Sequence, residues 1–405
     1  MAHFKFWDPD SPDSESFRYA AWVVPPAGAG DVTIVDLGEA VVIDAAVAAA
    51  RSALNSSQAQ LNVLEPAEAE QAVKEPLRAL AELVLDPLLA EVGDSNELIL
   101  SPDASLWLVP WAALPLDDGR YAIEEYQLSY VVSGRDLVAK PSQVEAAGAP
   151  VIVADPNFDL TPSADDTSTA SNDRSRSRFV GSFEDLTSVE RLPGTATEAK
   201  AITPLLRHYA DAEPVVHLDS DATESVVKRL RSPPVLVLST HGFFLEDQQI
   251  EIEETLPSGE VRKVALTIDG KLAENPLLRC GLLFAGSNKR SEASDALDDG
   301  VLTGMEIVGT DLRGTKLVVL SACETGIGQV NNGEGVAGLR QAFQLAGAES
   351  VLATLWQVPD EETAALMEAF FKNLVEGQSK SEALQNAQLQ RLSLNRRHYE
   401  TGHPY

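Results

Sequence analysis

The chain changes rhythm near residue 95. Before it, residues 19–24 are apolar, 25–31 form a Pro/Gly-rich stretch and 32–37 are apolar again, the signature of a β-hairpin. Residues 1–16 are polar and carry Asp8-Pro9 and Ser11-Pro12 steps, which predict a loose arm. Residues 42–54 are Ala-rich and predict a helix, and 55–72 are polar with helical leanings. Over 73–92, Leu77, Leu80, Leu83, Leu85, Leu88 and Leu89 recur at helical spacing, and Pro87 divides the stretch into two helices.

Beyond residue 95, short runs are apolar throughout: 98–100, 128–132, 151–154, 235–238, 282–284, 317–320 and 350–355. Helical patterns cover 195–209, 222–230, 335–346, 360–375 and 380–392. Continuous apolar strands alternating with amphipathic helices predict an α/β fold with a mostly parallel central sheet covered on both faces. Two segments interrupt it. Residues 159–185 are rich in Ser, Thr and Asp with almost no apolar anchor, which predicts a disordered loop. Residues 250–268 alternate around Pro257-Ser258-Gly259, which predicts a β-hairpin insertion. No repeat of 20–50 residues recurs, so the chain is not a solenoid.

Composition narrows the function. The 405 residues are 44% hydrophobic and 23% charged, enough to bury a sizeable core. With 62 acidic against 31 basic residues the net charge is −31, unsuited to nucleic acid and suited to cationic partners. The N-terminus has no apolar core for a signal peptide, and no apolar run approaches the ~20 residues of a membrane span. Cys280 and Cys323 are too few for a disulfide framework or a Cys-rich zinc site, so a reducing cytoplasm is the expectation.

Two strand ends resemble each other. One reads VLVLST and then His241-Gly242-Phe243-Phe244; the other reads LVVLSA and then Cys323-Glu324-Thr325-Gly326. Ligands of parallel sheets bind outside the carboxyl ends of strands. If the two strands are neighbours, His241 and Cys323 face one cleft. A nearby imidazolium lowers a thiol's pKa, a helix N-terminus beyond Cys323 favours the thiolate, and His241 then protonates a leaving amine. Gly242, in a tight turn, and Cys323 itself would offer backbone N–H groups to an oxyanion. Cys280, in LLRCGLLF, has no imidazole near it in sequence and reads as packing.

The motifs SPDASLWLVPWAALP (101–115), LPGTATEA (192–199), DATES (221–225), LSTHGFF (238–244), NPLLRCGLLFAG (275–286) and DDGVLTGMEI (298–307), with the run at 315–374, resemble the CHAT family. These are caspase-like, separase-related cysteine proteases of clan CD, often fused to tetratricopeptide repeats in bacteria. The resemblance covers about residue 75 to the end. It implies a caspase-like three-layer sandwich over 75–405; the hairpin and helix read in residues 1–74 make an N-terminal α+β extension expected to pack on it. It also implies peptide-bond cleavage by a dyad, with the catalytic histidine on His241 and the nucleophile on Cys323. Relatives usually continue past Gly402-His403-Pro404-Tyr405, so a trimmed chain or a missing closing strand is expected. No tetratricopeptide repeat is present, so a regulatory repeat-containing partner would lie elsewhere.

By the same resemblance, substrate adds as an extended strand beside the sheet. Trp356, Gln357, Val358, Pro359 and Asp360 would line its groove, with Asp360 as an acidic floor for a basic P1 side chain or as a helix cap. Where metacaspase-like proteases carry an acid two residues before the nucleophile, this chain has Ser321, which weighs against basic P1. Arg174, Arg176 and Arg178 make the 159–185 loop a candidate for self-cleavage. No metal-binding, phosphate-loop or serine-hydrolase motif appears, and no cofactor or metal is expected. The Asp298-Asp299 pair reads as a solvated turn, and His208, His217, His398 and His403 share no ligand spacing. The rival readings are a non-catalytic or partner-activated interaction module using the same cleft, and a flavodoxin-like ligand binder, which would need a phosphate loop.

Overall fold

The computed structural model describes residues 1–6, 16–61, 63–138, 144–161, 188–244, 251–255, 261–265, 267–268, 271–272, 276–292, 298–321, 334–355 and 360–399. The first elements are β1 (Ala2–Phe6), β2 (Ser16–Val23), β3 (Thr33–Glu39), α1 (Ala40–Leu61), α2 (Pro66–Val84), α3 (Asp86–Val92), β4 (Glu97–Leu100) and β5 (Gln127–Tyr130). Then come β6 (Val151–Pro156), α4 (Pro193–Ala210), β7 (Val215–Asp219), α5 (Glu224–Lys228), β8 (Val235–Ser239) and β9 (Gly242–Phe244). After these lie β10 (Glu251–Thr255), β11 (Val261–Ala265), β12 (Thr267–Ile268), β13 (Lys271–Leu272), β14 (Cys280–Leu283), β15 (Val301–Thr303) and α6 (Gly304–Val308). The chain closes with β16 (Leu317–Leu320), α7 (Glu334–Leu345), β17 (Val351–Ala353), α8 (Asp360–Val375) and α9 (Lys380–Tyr399). None of these helices is long and apolar enough to cross a membrane.

Two compact units share the chain. The first holds residues 1–141, 193–215 and 354–405. Its sheet is β1-β2-β3, and α1 and α2 pack together. Val73, Leu77, Leu80, Ala81 and Val84 recur at helical spacing and are the buried face of α2. Pro87 lies in the first turn of α3, where a missing N–H costs nothing, so the predicted division of the Leu-rich stretch is observed. The N-terminus departs from the predicted loose arm: β1 pairs antiparallel with β2 from Ala2↔Ala20 to Phe6↔Ser16. The apolar side chains of Phe4 and Phe6 within a polar context supply the strand alternation that proline-based reasoning passed over.

The second unit holds residues 142–192 and 216–353. Its five-stranded sheet runs β17-β16-β8-β6-β7, with β6, β8, β16 and β17 paired parallel. This mixed α/β sheet is consistent with a caspase-like fold. β8 and β16 are buried along their whole length, as central strands of a covered sheet require. Leu236, Leu238, Val318, Leu320, Val151 and Val153 point into a core with Leu339, Ala342 and Phe343 of α7. Edge strand β7 is mostly exposed, so it lacks the apolar run that marks its neighbours and escapes sequence reading. The run at 282–284 belongs elsewhere: β14 is the centre of an antiparallel sheet ordered β15-β14-β9. Buried on both faces, it reads in sequence like a parallel strand. The 222–230 helix shortens to α5, and β10 pairs antiparallel with β11. The 159–185 loop and its arginines fall almost entirely on residues outside those described.

Gly281, in β14, has no room for a side chain. A Cβ there would lie 2.3 Å from the Leu302 carbonyl oxygen and 2.6 Å from the Phe243 ring. Because the first obstacle is backbone, it has little room to yield. Gly281→Ala is expected to destabilise the protein by about 1–3 kcal/mol in urea unfolding. Neighbouring Cys280 is completely buried, and burial pushes its thiol up to about 12 against a partial pull from the Arg279 guanidinium. The native state therefore keeps this thiol protonated and unreactive at neutral pH. Its contribution to stability is complete below the unfolded value of 9.0 and is lost as pH rises from there towards 12. In a Cys323→Ala variant, Cys280 should resist iodoacetamide at pH 8 until denaturant is added.

Candidate active site

Adjacent strands β8 and β16 pair in register from Leu317↔Val235 to Leu320↔Leu238, and the Ser321 N–H continues the ladder to the Leu238 carbonyl at 3.1 Å. Both segments thus reach Ser239 and Ser321 at the same level, on neighbouring tracks about 4.8 Å apart. Ser239 and Ser321 are buried at the two exits. His241 is two residues past the first, and Cys323 is two residues past the second. The structure places His241; Cys323 lies outside the described residues, as do Trp356, Gln357, Val358 and Pro359. Asp360 opens α8 in the first unit, and its side chain is also outside the description.

Thr240 and His241 link β8 of the parallel sheet to β9 of the antiparallel one. The His241 carbonyl accepts from the Leu283 N–H at 2.9 Å, and Thr240 Oγ1 before it donates to the Leu283 carbonyl. Gly242 then opens β9, a strand where sequence reading expected a glycine turn. Gly242 stands opposite Leu282. Because the Leu283-to-His241 bond brackets this pair, it is the non-hydrogen-bonded kind, and the Gly242 N–H is directed away from β14.

His241 is only 4% exposed. Its Nε2 lies 2.8 Å from the Glu190 carbonyl oxygen, and its ring sits 5.2 Å from that of Phe158 at a tilt of 36°. A carbonyl oxygen only accepts, so Nε2 carries the proton and the basic lone pair of the neutral ring is on Nδ1. That is the state a general base needs, with its orientation set from behind.

Glu190 belongs to a strap without regular structure over 188–192. Val189 packs against the buried cluster of Phe158, Phe243, Leu283 and Val301. Its backbone exchanges two hydrogen bonds of 3.0 Å with the Asn288 side-chain amide. On the other side of Glu190, Arg191 grips Asp155 through Nε at 3.1 Å and Nη2 at 2.8 Å, and its Nη1 stands 3.4 Å from Asp219. Asp155, next to last in β6, and Asp219, last in β7, have φ of 46° and 55°, a left-handed conformation that aspartate tolerates better than most residues. Sequence reasoning missed Phe158, Glu190, Arg191, Asp155 and Asn288. Their contacts with the site are long-range or made by backbone, and no local spacing marks them.

A second charged group lies apart from these contacts. Lys228 contacts Glu224 and stands 2.9 Å from Glu306, while Glu224 accepts the Gly300 N–H at 3.0 Å. Asp299 accepts the Val301 N–H at 3.0 Å, so this part of the Asp298-Asp299 pair shapes its own turn. Among the described residues no group of three or more His, Cys, Asp or Glu side chains is arranged to hold a metal ion.

The CHAT domain family model matches residues 74–405. Human tetratricopeptide repeat protein 28 is 26% identical over 341 residues, covering 78% of this chain and 12% of the human protein. The mouse protein of the same name is 25% identical over 340 residues, covering 80% of this chain and 13% of its own length. The chain thus spans about an eighth of the curated relatives it matches. With the match running through both strand exits, from the first to the last of the motifs that bracket them, the chain belongs to the CHAT domain family.

Proposed function

We propose that this protein is a cysteine endopeptidase that cleaves a partner protein through Cys323 and His241. The observation that carries this reading is the in-register pairing of β8 with β16, which starts both segments from one edge at equal distance. The caspase-like three-layer arrangement belongs to the same proposal. His241 Nδ1 takes the thiol proton, and the Cys323 sulfur attacks the scissile carbonyl carbon. The N–H groups of Gly242 and Cys323 hold the oxyanion. The tetrahedral species collapses as the C–N bond breaks and His241 passes its proton to the leaving amine. Water, deprotonated by His241, then attacks the thioester and releases the thiol. The Glu190 carbonyl holds the ring throughout and supports the imidazolium while it lasts.

Ser321, Trp356, Gln357, Val358 and Asp360 are proposed to contact the extended substrate, with Asp360 favouring a basic P1 residue. A latent, partner-activated form is the second reading. It is favoured by the near-complete burial of His241 and by the repeat-containing names of the curated relatives. In that form the partner is a repeat-bearing protein whose binding opens the cleft.

Three measurements follow from this mechanism. An acyloxymethyl-ketone probe should label the wild type, alone or with a repeat-bearing partner, and Cys323→Ala should abolish labelling while keeping the wild-type unfolding midpoint. His241→Ala should slow peptide hydrolysis by about 10²–10⁴-fold with the thiol still present. On a peptide library, cleavage should follow Arg or Lys; preference for an uncharged or acidic P1 would remove the assigned role of Asp360.

A further inference from the structure

The Glu190 carbonyl that orients His241 is carried by an exposed strap with no ladder of its own, so its position must be imposed from outside. We infer that the Arg191–Asp155 ion pair is the positioning device for the His241 imidazole, acting through the main-chain carbonyl of Glu190. The inference deepens the protease reading, but its geometric core stands on described residues alone.

The strap is tied on both sides of the carbonyl. Upstream, Asn288 holds both backbone polar groups of Val189. Downstream, Arg191 makes a two-pronged contact with the Asp155 carboxylate and a further 3.4 Å contact with its carbonyl oxygen. A bidentate guanidinium–carboxylate pair fixes direction as well as distance. Asp155 is set in the core: its side chain is 13% exposed, and it is the penultimate residue of β6, a buried strand paired in register with β8. β8 in turn delivers His241. The ring and its acceptor are therefore referred to the same pair of strands, one through the backbone and one through this ion pair. Removing Arg191 takes away the downstream side-chain tie and leaves the Val189–Asn288 tie upstream. Glu190 would then swing about that tie, and the imidazole would lose its fixed tautomer and direction.

The direct test is NMR of the imidazole nitrogens in the intact protein labelled with ¹⁵N-histidine, with His241 assigned by a His241→Gln variant. Wild type should show His241 protonated at Nε2 at high pH with a slowly exchanging Nε2–H. Arg191→Ala and Asp155→Asn should each speed that exchange by about tenfold, the worth of one hydrogen bond. The double variant should be no worse than either single one, and Arg191→Lys should lie between wild type and alanine. The resonances of His3, His208, His217, His398 and His403 should stay put, a pattern general loosening would not produce. Unchanged Nε2–H exchange in both single variants overturns the inference, as does loss of it together with shifts at all the other histidines. If Arg191→Ala does not fold, Arg191→Lys and Arg191→Gln decide by the same readout. Probe labelling of Cys323 supplies the second arm, expected to fall by about tenfold in Arg191→Ala. A wild type that never labels, with the ring signals behaving as described, would sink the protease reading and leave the positioning role standing.

Discussion

The central sheet, and with it the position of His241, depends on one register: Leu320 opposite Leu238 in the pairing of β16 with β8. A parallel ladder lets two segments far apart in sequence leave a rigid layer side by side. The buried runs VLVLS and LVVL supply the rigidity, because strands apolar on both faces sit comfortably only in the middle of a covered sheet. A slip of one residue would turn every side chain of β16 to the other face and move its exit along the sheet. The register is thus set by the same apolar packing that makes the core, and it fixes where the segment carrying His241 leaves β8.

A second layer of control begins where regular pairing ends. His241 sits between a parallel and an antiparallel sheet, with its carbonyl tied to Leu283 and its ring held by Phe158 and by the Glu190 carbonyl. The strap that provides this carbonyl is irregular and depends on side-chain ties from Asn288 and Asp155. The site is therefore built from two kinds of support. The core strand β8 delivers His241, and a strap tied by polar side chains aims its ring.

What the sequence made legible follows this division. Strands with continuous apolar runs, the helix break at Pro87, and the kinship of the segments ending at Ser239 and Ser321 could all be read, because burial writes itself into local pattern. β7 could not, since an exposed edge strand shows no apolar run. β1 was hidden by prolines farther along the polar stretch. β14 was visible as a strand but not as an antiparallel one, because burial on both faces erases the alternation that distinguishes the two. His241 was readable as a chemical group beside a glycine. Its orientation was not, for it is decided by a carbonyl 51 residues away.

That last contact has an evolutionary corollary. An acceptor supplied by the main chain has no side-chain identity, so almost any amino acid could stand at position 190 and present the same oxygen. Substitution there would pass unselected, and a comparison of homologous chains would register a variable column at a place where the imidazole finds its anchor. Selection would instead be felt at one remove, at Arg191, Asp155 and Asn288, whose side chains keep that oxygen where it is.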